Sequence, residues 1–78
     1  MTDKDLFKII KNCLKTKSIV SINTKSEGLE EWDSLGQLAI LTTLDKKLKG
    51  KTSKLSNLAD ASSVKEIYNI LKKAKLIH

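Results

Sequence analysis

The chain has 78 residues and a net charge of +6, with 15 lysines, no arginine, no proline, one cysteine (Cys13) and one histidine, the last residue His78. That length sets a single domain, 1–78, with a small core that buries about 60% of the unfolded surface. The cysteine and histidine counts exclude an internal disulfide framework, a cysteine-based zinc site and any histidine-based metal or acid–base constellation, so the expectation is a non-enzyme with no catalytic residue and no metal ligand.

The first element begins at Thr2-Asp3-Lys4-Asp5, a hydroxyl answered by an acid three residues on, which fits a capping box. Leu6, Phe7, Ile10, Cys13 and Leu14 then recur at spacings of three and four, predicting an amphipathic helix over about 3–16. Cys13 reads as a small buried hydrophobe on that face. The opening segment carries acids beside its lysine and no long apolar run, so no secretory leader is expected. No stretch approaches the roughly 20 apolar residues of a membrane span. The expected location is the cytoplasm.

Residues 17–33 show no sustained period. Ile19, Val20 and Ile22 are read as apolar anchors in a long loop, with turn chemistry from Asn23, Ser26 and Gly28. A loop of this length in so small a domain points to function. A helix follows from Ser34, where Ser34 and Gln37 form a second capping-box pair. Leu38, Leu41, Leu44 and Leu48 are its expected core face, with Ile40 on a flank and Gly50 as the stop. A short helical segment is expected from Ser56, with Leu55 and Leu58 turned inward. A third capping box, Ser63 and Glu66, opens a last helix to about residue 75, its inner face Val64, Ile67, Tyr68, Leu71 and Ala74. The expectation is an all-α domain, a small four-helix bundle of three longer helices and one short one.

Charge is polarised about Ser34. Residues 1–34 balance six lysines against six acids, and Glu27, Glu30, Glu31 and Asp33 lie just before the serine. Residues 35–78 hold nine lysines against Asp45, Asp60 and Glu66. Lysine lacks the planar fork that reads base edges, which argues against sequence-specific nucleic-acid recognition. The cluster Lys46, Lys47, Lys49, Lys51 and Lys54 is either a solvated face or a docking patch for an acidic partner.

Ser34 carries two readings. As a helix N-cap it is worth about 1 kcal/mol. As a nucleophile of its own it would need a base, and no internal histidine exists. A second enzyme could instead attach a phosphate ester, which the positive end of a helix favours. Trp32, two residues earlier, either pins the loop by packing or offers a contact. Leu35 either joins the core or faces a partner. Gly36, costly in a first turn by about 1 kcal/mol against alanine, either allows close approach of a partner or is simply tolerated near the helix end.

Asp33-Ser34-Leu35 after a long loop, opening the second of four helices in a chain of this length, resembles the acyl carrier proteins and related peptidyl-type carriers. The resemblance spans Leu6 to Leu71. It implies that Ser34 bears a covalent 4′-phosphopantetheine, delivered from coenzyme A, whose thiol holds acyl or aminoacyl cargo as a thioester. It implies as partners a phosphopantetheinyl transferase, a loading ligase or synthase and a downstream acyltransferase, met by a monomer through Asp33, Leu35, Lys46 and Lys47. Carriers of fatty-acid synthesis are acidic along the second helix; here only Asp45 is acidic, and the string is Trp32-Asp33-Ser34-Leu35-Gly36. That pattern resembles the specialised rather than the housekeeping members. The other reading is a small basic helical module that binds an acidic protein, or nucleic acid non-specifically, with Ser34 only a cap.

Overall fold

A computed structural model describes residues 1–77; His78 lies outside the described residues. The domain is all-α. Its helices are α1 (Asp3–Leu14), α2 (Ser34–Lys47) and α3 (Val64–Lys73). Three 3-10 turns join them, at Ser26–Gly28, Lys51–Lys54 and Ser56–Asp60. Where the sequence predicts a short fourth helix from Ser56, the chain makes two consecutive 3-10 turns instead. Among the described residues no strand forms, only an isolated bridge between Lys25 and Ser63. No helix among them is long and apolar enough to cross a membrane.

The first capping box forms as the sequence implies. Asp5 N–H donates to Thr2 Oγ1 at 3.3 Å, and Thr2 N–H donates to Asp5 Oδ2 at 3.0 Å. That second bond, from the Thr2 backbone, is the main reason the Asp5 carboxyl is held below the ordinary carboxylate range. Each α-helix then leaves through a lysine in the left-handed region: Lys15 (φ 53°), Lys49 (φ 56°) and Lys75 (φ 60°). After α2 the wrap is a Schellman motif, with Gly50 N–H donating to Asp45 C=O at 2.8 Å and Gly50 itself at φ 80°. These turns end α1 and α3 about two residues before the predicted limits of 16 and 75.

The core gathers Leu6, Ile10 and Leu14 of α1, Ile40 and Leu44 of α2, and Val64, Ile67 and Leu71 of α3. Phe7 and Tyr68 are only half-buried, packed against its edge. The largest departure is the orientation of α2. Ile40, predicted as a flank, is fully buried, whereas Leu38, predicted as core, is 60% exposed; Leu41 and Leu48 are half-buried. Apolar residues lie all round α2, so the period alone does not choose its inner face. Gly36 decides it. A Cβ there would stand 2.5 Å from the Glu31 carbonyl oxygen and 2.6 Å from Leu14 Cδ2. Only glycine lets α2 rest this close on its own entry loop and on α1, and that contact turns Ile40 and Leu44 inward. Gly36 thus closes against the chain's own Glu31 and Leu14, a role the sequence did not suggest for it.

The loop before α2 is held rather than free along its length. Ser26 N–H donates to Ser62 C=O at 2.7 Å, and Val64 N–H donates to Thr24 C=O at 2.9 Å, so the loop is stitched to the start of α3. Val20 and Trp32 are buried and anchor it to the core. Ile19, expected to be a third anchor, faces solvent.

Candidate functional site

Two adjacent residues, Asp33 and Ser34, could each cap α2, since both side chains rank among the best acceptors for a free helical N–H. The structure assigns the role to Asp33. Its backbone is extended (φ −100°, ψ −166°), and its Oδ1 accepts the Gly36 N–H at 2.9 Å. A carboxylate adds charge to the hydrogen bond at the positive end of the helix dipole. The predicted box of Ser34 with Gln37 is therefore not formed. Ser34 becomes the first helical residue, exposed, and its hydroxyl is left out of the cap. The first paired N–H groups of α2 are those of Gly36, to Asp33 Oδ1, and Gln37, to the Asp33 carbonyl at 2.9 Å. The N–H groups of Ser34 and Leu35 precede them at the open end of the helix, where an anion is stabilised.

Gln37 does something the sequence pattern did not suggest. Its Oε1 accepts the Trp32 indole N–H at 2.6 Å. Its amide nitrogen faces three carbonyls, of Leu58 (3.3 Å), Ala59 (3.1 Å) and Ala61 (3.0 Å). One side chain thus ties the entry loop, α2 and the 3-10 turn Ser56–Asp60 together. Trp32, 6% exposed, takes the packing role of its two readings. A donor-and-acceptor amide beside a buried indole is the only signal that could have pointed to this knot, because its carbonyl partners lie more than twenty residues away.

Around Ser34 these elements leave an open groove of about 470 Å³, lined by Ser26, Trp32, Asp33, Ser34, Gln37, Ala59, Ala61 and Ser62. On the outer side stands Leu35, 76% exposed, and one turn on Leu38, 60% exposed. Leu35 thus faces solvent rather than the core. Lys46 and Lys47 are both exposed but diverge. Lys46 follows Leu35 by eleven residues, which at 3.6 residues per turn returns it to within roughly 20° of Leu35. Lys47 lines a second groove, against α1, with Met1, Asp5, Lys8, Ile9 and Leu48. Asp45, the one acid of α2, accepts from the Thr52 hydroxyl at 2.8 Å. Cys13 is half-buried between α1 and α2, with its Sγ 3.3 Å from Thr43 Oγ1. No group of three or more potential metal ligands occurs among the described residues.

Comparison of this chain with protein-family models, with curated proteins and with solved structures finds no match.

Proposed function

We propose that the protein is an acyl or aminoacyl carrier whose cargo rides on a 4′-phosphopantetheine arm esterified to Ser34. One observation carries this reading: the exposed serine at the head of α2 has no capping duty, because Asp33 performs it. The bland explanation for a serine at this place is thereby taken by its neighbour.

The surroundings fit the group. Ser34 Oγ would form the ester bond to phosphorus as the coenzyme A pyrophosphate bond breaks, and adenosine bisphosphate leaves. The Ser34 proton would pass to a base of the transferase. The diester's negative charge would sit beside the N–H groups of Ser34 and Leu35 at the positive end of α2. The groove, with Trp32, Ala59 and Ala61 as its apolar lining and Ser26, Gln37 and Ser62 as its polar lining, would receive the start of the arm. When bound, the arm supplies a thiol that holds cargo as a thioester. The order of elements, with Ser34 opening α2 after a long loop and a short helical segment between α2 and α3, supports the carrier-like bundle that the sequence resembles.

Partners would be a phosphopantetheinyl transferase, a loading ligase or synthase, and an acceptor enzyme. Tethering raises the local concentration of cargo at each of them. The exposed lysines after Asp45 favour a second reading, a basic helical module binding a polyanion. Co-expression with a broad-specificity transferase separates the two: the carrier gains the mass of one phosphopantetheinyl group, and the module retains its original mass.

A further inference from the structure

Ile19, Leu35 and Leu38 are the large hydrophobic side chains most exposed among the described residues, and two of the three share one face of α2 beside Ser34. Thr42 and Lys46 continue that face at four-residue steps. The strip runs from two bare leucines to a lysine about 12 Å beyond Leu38, at 1.5 Å per residue. Its one neighbouring acid, Asp45, is engaged by Thr52. At its other end stand the exposed acids Glu30, Glu31 and Asp33.

We infer that this strip docks a partner protein by an apolar pocket over Leu35 and Leu38, with carboxylates on the partner opposite Lys46. The inference rests on the carrier reading, because the partner must reach Ser34. Burying two leucines supplies the contact energy. The charge beyond them sets which partner fits and in which direction, since a cation over Lys46 is repelled and a carboxylate is drawn in. A polyanion does not suit the strip. A nucleic acid or anionic lipid surface that covers Leu35 meets Glu30, Glu31 and Asp33 at once. Lys47, turned toward α1, lies off the strip and plays no part in the docking.

The transfer of phosphopantetheine to Ser34 is itself a docking assay. Two transferases serve as probes, one with carboxylates and one with basic residues beside its coenzyme A cleft, and initial rates are read by intact mass. Lys46→Glu is expected to slow the acid-rimmed enzyme by roughly three- to ten-fold and to speed the basic-rimmed one, with both effects shrinking in high salt. Lys47→Glu, the same change of charge on the flank, leaves both rates near those of the parent. Leu38→Ser slows both enzymes. Equal responses to Lys46→Glu and Lys47→Glu, or the same response from both transferases, would overturn the inference and leave the carrier reading standing. If neither enzyme modifies the parent, the carrier reading fails and the inference falls with it. Binding of the parent at physiological salt to phosphatidylglycerol–phosphatidylcholine vesicles or duplex DNA, lost in Leu38→Ser, would make a polyanion the occupant and also overturn it.

Discussion

Replacing Gln37 with leucine keeps most of the side-chain volume and removes every hydrogen bond that the Gln37 side chain makes, to the Trp32 indole and to the carbonyls of Leu58, Ala59 and Ala61. The Trp32 indole N–H, deeply buried, then has no acceptor, and an orphaned buried donor costs about 1–3 kcal/mol. The Gln37 amide has two hydrogens for three carbonyls, so its net contribution is that of two bonds at best, about 0.5–1.5 kcal/mol each. Part of that loss is recovered by water reaching the carbonyl of the exposed Ala59, which leaves a total of roughly 2–4 kcal/mol. A chain of this size has about 4–12 kcal/mol of stability in all. The melting temperature should fall by on the order of 10–30 °C. Urea unfolding followed both by the fluorescence of Trp32, the only tryptophan, and by far-ultraviolet circular dichroism measures the loss. The native emission of the variant should also shift to the red as water reaches the indole. A variant within about 0.5 kcal/mol of the parent and with unshifted emission would refute the knot.

Three further outcomes follow from the packing and the caps. Ile40→Ala should cost on the order of 2–5 kcal/mol, whereas Leu38→Ala should stay within about 0.5 kcal/mol; the reverse order in denaturant melts would return α2 to the face read from its leucine spacing. Asp33→Ala should cost about 1 kcal/mol as a lost cap, and Ser34→Ala should be nearly neutral, both read by thermal melts. The Asp5 carboxyl is held low in the folded state by the Thr2 N–H, so its stabilisation is present above the ordinary carboxylate range and disappears as pH falls through the folded value. A pH series of melts should therefore show Asp5→Asn weaker than the parent at neutral pH and level with it in acid.

The local signals in the chain were readable, and the long-range ones were not. Thr2 with Asp5 and Ser63 with Glu66 announce two helix starts, because a cap is an interaction within three residues, although Glu66 reaches back to the Ser62 N–H at 3.0 Å. At Asp33 and Ser34 the same rule gives two adjacent candidates, and the charge of the aspartate decides between them. The sequence pattern runs α1 and α3 about two residues too far, because the left-handed exits at Lys15 and Lys75 are lysines, which carry none of the signal that Gly50 does. The face of α2 was obscured by its surplus of apolar residues. Gly36 resolved it only once Glu31 and Leu14 were seen against it. Lys46 and Lys47 look equivalent as neighbours in a basic cluster, and one step of about 100° around α2 separates their surroundings. The Gln37 knot could not be read locally, since its acceptors lie at Leu58, Ala59 and Ala61.

The most direct test of the carrier assignment is to locate the modification. The protein is incubated with coenzyme A and a broad-specificity transferase, digested with trypsin, and the peptide 26–46 is fragmented by mass spectrometry. That peptide holds two serines, Ser26 and Ser34. One phosphopantetheinyl group is expected, on Ser34, and none on Ser34→Ala, whose circular dichroism remains that of the parent. A group on Ser26 or elsewhere, or a protein left unmodified under conditions that fully convert a control carrier, would contradict it.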